Sequence, residues 1–190
     1  VKVADDGIYR IAYQTLVSGG VPVSTVPAGQ FRMYRYGQEV PVFTSTASLM
    51  GDQDFLEFFG EKNRGTIDQY LFGSADKENI NPKYSLFNDT TVYYLTWGTA
   101  GVPLRYTPVA NDLSNLPPKE EYCWWTAQQF YNQSFVKRHR SAEITFSWFE
   151  GDGFCRAPSI LTNVALVPKK LYPSGPDARF TIRYGCQEGP

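Results

Sequence analysis

Few residues in this chain have the types and spacing that catalysis or metal binding requires. The single histidine, His139, lies in the run Lys-Arg-His-Arg at residues 137–140, which is typical of a solvated basic turn. The cysteines form no CxxC pair, so no zinc site is indicated; they are Cys123, Cys155 and Cys186. Because dyads assemble in space, spacing alone does not forbid a Cys-His pair, but no strand-turn context singles out one cysteine. Three cysteines allow either one disulfide with a free thiol or three unbridged thiols.

Carboxylates are the next candidates, because paired acidic side chains can exchange protons or bind calcium. Acidic turns occur at residues 5–7, 51–54 and 151–153. None has the ligand series of an EF-hand, and Asp beside Gly is ordinary turn chemistry, although one structural calcium ion stays an alternative. The candidates for a hydrolytic pair are Glu57, Glu150 and Asp152. Nothing in the sequence brings two of them together, so a hydrolase ranks last among the functions considered.

Aromatic side chains are the remaining feature that can bind a partner. The chain has 13 Tyr, 13 Phe and 4 Trp. If they are exposed, Tyr122, Trp124 and Trp125 would form a stacking platform for sugars or a hot spot for a protein partner. Core packing is the competing interpretation, because large aromatic residues usually fill the space between sheets. Tyr122, Trp124 and Trp125 are therefore the candidate binding residues, and no catalytic residue, metal ligand or cofactor is predicted.

The amino-acid composition limits the classes of partner that the chain is expected to bind. The 190 residues are 42% hydrophobic, and 18 Lys plus Arg against 19 Asp plus Glu leave a net charge of -1, without the basic excess typical of nucleic-acid binders. The longest apolar runs are far shorter than the roughly 20 residues that cross a bilayer, so neither nucleic-acid binding nor membrane insertion is predicted. Because the chain opens at Val1 rather than at methionine, we expect a mature form or a piece of a longer protein.

Strands are the elements predicted to position these aromatic residues. Residues 1–12 indicate a hairpin with a turn at 5–7, in which Ile8, Arg10 and Ala12 face opposite to Tyr9 and Ile11. Helical spacing from Tyr13 to Val17, stopped by Gly19 and Gly20, predicts one helix of about two turns. Residues 31–44 indicate a second hairpin whose return strand contains Pro41 and therefore lies at an edge. Further strands are predicted at 55–59, 84–87, 91–97, 142–149, 160–167 and 178–184.

The pattern predicts an all-β protein with one or two short helices. The 16 Gly and 13 Pro provide turns between the strands, which would form one antiparallel β-sandwich or two small β-units in tandem. Residues 61–83 are polar and indicate a loop, and residues 120–125 are predicted as a strand that passes into a short helix. A cluster of Pro, Asn and Ser at 108–119 marks the expected seam, so the predicted units are 1–110 and 111–190, with the second packed on or continuous with the first.

Several strings, taken in order, resemble the region ahead of the caspase-like domain in gingipain-like cysteine peptidases of Bacteroidetes, particularly the sortase of the type IX secretion system. The order of the strings carries the resemblance, and together they span most of the chain. They are DGIYRI at 6–11 followed by Leu16, FRMYRYGQEVP at 31–41, DFLEFFG at 54–60, TVYYLTWG at 91–98, Glu-Tyr at 121–122, FSWFE at 146–150 and ARFTIR at 178–183.

The resemblance implies non-catalytic β-structure that precedes a peptidase domain in a secreted, cell-surface or periplasmic protein. The family's catalytic histidine and cysteine belong to the domain that follows, so the resemblance gives His139 and the three cysteines no catalytic role. It implies a scaffold or docking module whose partners are neighbouring domains of the same polypeptide or another protein, bound through aromatic anchors and edge strands. An oxidising compartment would also favour a bridge between two of the cysteines. The alternative function is a carbohydrate-binding module that uses Trp124 and Trp125 as a stacking face for polysaccharide.

Overall fold

A computed structural model describes residues 1–74, 79–136, 153–157 and 172–182. This part of the chain is dominated by antiparallel strands and has one short α-helix, which confirms the predicted all-β fold. The chain divides into two compact units. The first unit comprises residues 1–63 and 89–111, and the second comprises 64–88 and 112–190. No helix in the described ranges has the length and apolar character that a membrane span requires.

Two sheets make up the first unit. A four-stranded sheet has the order β1-β7-β3-β4, and a three-stranded sheet has the order β2-β6-β5, with every neighbouring pair antiparallel. The strands are β1 Lys2–Val3, β2 Gly7–Ala12, β3 Phe31–Arg35, β4 Gln38–Val40, β5 Phe43–Thr44, β6 Phe55–Gly60 and β7 Thr91–Trp97. Helix α1 spans Tyr13–Ser18 and directly follows β2, and a short 3-10 helix spans Ala28–Gln30.

One hydrophobic core is shared by the two sheets. The four-stranded sheet contributes Phe31, Met33 and Tyr93, and the three-stranded sheet contributes Leu56 and Phe58, all fully buried. The rings of Phe58 and Tyr93 lie 4.9 Å apart, so side chains of the two sheets interdigitate directly. Facing antiparallel sheets that close over one core form a sandwich. Each fully buried side chain of this size contributes about 1.5–3 kcal/mol relative to exposure.

The alternation predicted for β2 is confirmed. Tyr9 and Ile11 point toward the core, whereas Ile8, Arg10 and Ala12 are exposed. Helix α1 is also confirmed, and its residue Leu16 is buried. It ends at Gly19 and Gly20, as predicted, and Gly20 adopts a φ of 76° that few other residues tolerate.

The second predicted hairpin is confirmed in its first half. β3 and β4 pair through a two-residue connection in which Tyr36 and Gly37 both have positive φ, the combination that matches strand twist in tight hairpins. β4 lies at the sheet edge, as Pro41 suggested. The return strand was predicted at residues 40–44, but β4 begins two residues earlier, at Gln38, and ends at Val40. The chain then leaves this sheet, and Phe43–Thr44 pair with β6 in the other sheet.

The first predicted hairpin is wrong. β1 pairs with β7 and β2 pairs with β6, so the two opening strands lie in different sheets. Residues 5 and 6 make contacts that suit a crossing rather than a tight turn. The carbonyl of Asp5 accepts a hydrogen bond from the Tyr9 hydroxyl at 2.9 Å, and Oδ1 of Asp6 accepts one from the backbone N–H of Lys62 at 3.0 Å. These contacts position the chain as it passes from one sheet to the other.

In the described part of the second unit, the structure departs from the sequence prediction at several positions. Its described strands are β8 Ser134–Val136 and β9 Gly153–Cys155, which pair antiparallel, and a 3-10 helix spans Asp68–Leu71 within the predicted loop. The strand predicted at 84–87 is absent, because the N–H of Leu86 donates to the Asp68 carboxylate and that of Phe87 to the Ser85 hydroxyl.

Residues 120–125 form neither the predicted strand nor the predicted helix. The large side chains of this segment are exposed, so it lacks the buried face that stabilises either element. No strand is present at 178–182. The strands predicted at 142–149 and 160–167, and the end of the one predicted at 178–184, lie outside the described residues. The predicted boundary between residues 110 and 111 stays a prediction.

Candidate binding surface

The three predicted binding residues are all exposed. Tyr122 is 44% exposed, Trp124 is 62% exposed and Trp125 is 53% exposed. The competing interpretation, core packing, is therefore wrong for these residues. They lie in a segment of the second unit that is itself neither helix nor strand.

Two residues from the distant segment 172–182 join this surface. The ring of Tyr172 stacks on that of Tyr122, with centroids 5.7 Å apart and planes inclined by 17°. The guanidinium of Arg179 lies 5.9 Å from the centroid of the Trp124 ring, a cation–π distance. We refer to Tyr122, Trp124, Tyr172 and Arg179 as the aromatic cluster. Its members are all exposed.

Ring orientation limits what the aromatic cluster can bind. Tyr122 and Trp124 meet edge to face, with centroids 6.4 Å apart and planes at 85°. One face of the Tyr122 ring is covered by Tyr172. Tyr122 and Trp124 therefore do not form one flat stacking platform for a sugar. The cluster instead combines tryptophan, tyrosine and arginine, and its rings face different directions. These three residue types contribute most of the binding energy at protein interfaces.

A polar contact orients Tyr172. Its hydroxyl donates a hydrogen bond to Oε2 of Glu121 at 3.3 Å, although the two residues are 51 positions apart. Sequence reasoning missed Tyr172 and Arg179. Neither repeats nor spacing relates them to Tyr122 and Trp124, so no signal in the sequence identifies them.

Three of the remaining candidates for chemistry lie in the described residues. Cys123 is an exposed free thiol and Cys155 a half-buried one. Glu57 forms an ion pair with Arg10, with Oε1 2.8 Å from Nε. Among the described residues, no three His, Cys, Asp or Glu side chains come close enough to hold a metal ion. The other predicted candidates, His139, Glu150, Asp152 and Cys186, lie outside the described residues.

The acidic turn at residues 51–54 is a closed hydrogen-bonded structure. The Asp54 carboxylate accepts a hydrogen bond from the backbone N–H of Gly51 at 2.8 Å and another from the Ser45 hydroxyl at 2.7 Å. Both lower the pKa of this carboxyl, the Gly51 bond most. Asp54 therefore stabilises a turn before β6, which agrees with the turn interpretation of this sequence.

Comparison with known proteins identifies no relative: no family model, no curated protein and no solved structure matches this chain.

Proposed function

We propose that this chain is a non-catalytic β-rich module of a larger secreted or cell-surface protein, and that it docks onto a neighbouring peptidase-like domain of the same polypeptide. The observation that carries the proposal is the exposed aromatic cluster of Tyr122, Trp124, Tyr172 and Arg179. The resemblance of the ordered strings to the region ahead of a caspase-like domain supports the choice of partner. The module recognises its partner, and none of its residues undergoes chemistry.

The composition of the cluster suits docking. Trp124 and Tyr122 have large apolar areas whose removal from water supplies binding energy, and each also carries a polar group that can bond across an interface. Truncation of such a residue at the centre of an interface costs about 2 kcal/mol or more. Because Tyr122 is already held against Tyr172 and Tyr172 is hydrogen-bonded to Glu121, less side-chain entropy is lost on binding.

The test is a binding measurement between this chain and the peptidase-like domain that the proposal places after it, expressed separately. Calorimetric titration of the wild-type chain should show binding. Trp124→Ala and Tyr172→Ala should each weaken it about thirtyfold or more. The control is Tyr70→Ala, which truncates a tyrosine of the second unit that is 73% exposed and outside the cluster. Unchanged affinity in both cluster variants, or no binding by the wild type, would refute the proposal.

A carbohydrate-binding module is the second candidate. The exposure of more than half of both Trp124 and Trp125 favours it, because a sugar ring needs only one accessible indole face to stack. Titration with soluble polysaccharides, followed by tryptophan fluorescence, tests this function. A saturable change that both Trp124→Ala and Trp125→Ala diminish would support sugar binding, whereas a flat titration would exclude the polysaccharides used.

A further inference from the structure

The longest edge strand of the first unit is β2. Of the four strands at sheet edges, β1, β4 and β5 span two or three residues each, whereas β2 spans the six residues Gly7–Ala12. Proteins usually shorten, charge or cover their sheet edges, because an uncovered edge pairs readily with another strand. Three edge strands of the first unit are therefore short, whereas the fourth, β2, is long.

Register shows which backbone groups of β2 are unpaired. The N–H of Tyr13 donates to the carbonyl of Asp54, so in this antiparallel pair the odd-numbered residues of β2 exchange hydrogen bonds with β6. The N–H of Phe59, opposite Ile8, points the other way and donates to the Tyr106 hydroxyl at 2.9 Å. The backbone groups of the even-numbered residues therefore face outward. Within the described ranges, the backbone groups of Ile8 and Arg10 and the N–H of Ala12 have no hydrogen-bond partner. The carbonyl of Ala12 lies at the N-cap of α1, where it accepts the first hydrogen bond of the helix.

The side chains along this edge define what a bound strand should carry. Ile8 is 76% exposed and lies opposite Phe59, which is 50% exposed. The side chain of Arg10 is 60% exposed, and its Nε is bonded to Glu57. Its guanidinium lies 3.8 Å over the Phe55 ring, and both Nη groups have no partner in the part of the chain that the structure describes. A complementary strand would place an aliphatic residue opposite Ile8 and a carboxylate opposite Arg10.

A second copy of this chain fits the edge poorly. Two-fold antiparallel pairing over the whole of β2 would place Ile8 opposite Ala12 and Arg10 directly opposite Arg10 of the other copy. Like charges directly opposite each other destabilise a strand pair. A strand with a different sequence therefore suits the whole edge better than a second copy of β2 does.

We propose that the outer edge of β2 binds an extended peptide segment of a partner protein, which adds to the three-stranded sheet as a further strand. Backbone hydrogen bonds to Ile8, Arg10 and Ala12 supply affinity, and an acidic residue two positions from an aliphatic one supplies specificity. This surface shares no residue with the aromatic cluster, so the two proposals can fail separately.

The experiment uses the full chain and a synthetic peptide of alternating threonine and valine in which the central valine is replaced by glutamate. This sequence presents aliphatic and acidic residues to the edge in either strand direction. Amide hydrogen exchange of the isotopically labelled protein should slow at Ile8, Arg10 and Ala12 when peptide is added. Exchange at Tyr9 and Ile11, which are already bonded to β6, should not change. Binding at another surface would not produce this alternation.

Charge reversal tests the specificity. A peptide with lysine in place of the glutamate should bind about fivefold more weakly, as expected for one partly exposed ion pair. The variant Arg10→Glu should reverse the preference between the two peptides. The control variant Lys2→Glu makes the same change of charge at an exposed position of β1 and should preserve the preference.

Backbone methylation keeps the test decisive if Arg10→Glu fails to fold. N-methylation of the peptide amides that face β2 should abolish binding, whereas N-methylation of the alternate amides should preserve it. Three results would overturn the proposal. They are exchange that does not slow at the even-numbered residues, equal affinity for the glutamate and lysine peptides, and self-association of the unliganded chain that protects those same amides.

Discussion

Gly7 and Gly60 are direct cross-strand partners in β2 and β6, yet only Gly60 contacts the core closely. A Cβ atom at Gly60 would lie 2.6 Å from Cδ2 of Tyr9 and 3.1 Å from Cγ1 of Val3. At Gly7 it would meet nothing within 4 Å. Neither glycine has a positive φ, so this difference is one of space alone.

The pair therefore gives a matched prediction. Gly60→Ala should lower the free energy of unfolding by about 1–3 kcal/mol, because the Tyr9 ring must move within a packed core. Gly7→Ala should change it by about 0.5 kcal/mol or less. Urea denaturation of both variants measures the difference. Equal stabilities would mean that Tyr9 moves aside without cost.

Tyr93 links the two sheets of the first unit by a hydrogen bond. Its hydroxyl, on β7, accepts a hydrogen bond from the backbone N–H of Glu61, just after β6, at 2.9 Å. Tyr93→Phe leaves that N–H without its partner and should cost about 1–2 kcal/mol of unfolding free energy. Tyr94→Phe, at the adjacent residue that is 64% exposed, should cost about 0.5 kcal/mol or less. If the two variants were equally stable in urea, the bond would contribute nothing to stability.

Stability should fall in alkaline solution partly through Tyr93. Burial raises the pKa of this hydroxyl above its usual value, although the Glu61 N–H opposes the shift. The unfolded chain then releases the proton at lower pH than the folded chain, so this contribution is complete below about pH 10 and is lost as the pH rises through the folded pKa. Urea midpoints measured up to about pH 11 should fall more steeply for the wild type than for Tyr93→Phe. Parallel curves would contradict this assignment.

Arg105 donates hydrogen bonds to four backbone carbonyls of the first unit. Nη1 donates to Phe31 and Leu104 at 3.0 and 2.9 Å, and Nη2 donates to Ala28 and Gly29 at 3.2 and 2.9 Å. Lysine keeps the charge but lacks the planar fork, so Arg105→Lys should cost about 2 kcal/mol. Thermal unfolding, with Arg10→Lys as the exposed control, measures the effect. A cost as small as the control's would show that water replaces the lost bonds.

Leu56 and Ile8 both lie on the three-stranded sheet, but the first is buried and the second is exposed, so their alanine variants should differ in stability. Leu56 is fully buried, so Leu56→Ala should cost about 2–5 kcal/mol through lost burial and the cavity left behind. Ile8 is largely exposed, and Ile8→Ala should cost about 0.5 kcal/mol or less, although it should weaken binding of the strand peptide. Chemical denaturation distinguishes the two. A large loss for Ile8→Ala would mean that this side chain is covered in solution.

Local pattern predicted the strand faces but not their partners. The alternation of Ile8 and Arg10 with Tyr9 and Ile11 correctly assigned the two faces of β2, because side chains of a strand alternate whatever its neighbour. Pairing depends on the whole chain, and a nearby turn wrongly suggested β1 as the partner of β2. The candidate surface shows the same division. Tyr122 was identified from composition, whereas its stacking partner Tyr172 lies too far along the chain for any local signal.

The pairing of Lys2 with Val92 determines the order in which the first unit can be completed during synthesis. A chain made from its amino end exposes β1 long before β7 exists, because the contact closes a loop of nearly half the protein. The first unit is also interrupted by residues 64–88, whose Asn81 donates to the carbonyls of Tyr131 and Phe154 farther on. Each unit is thus made of two chain segments, and a segment of the other unit is synthesised between them. Neither unit can therefore finish folding from one continuous stretch of nascent chain.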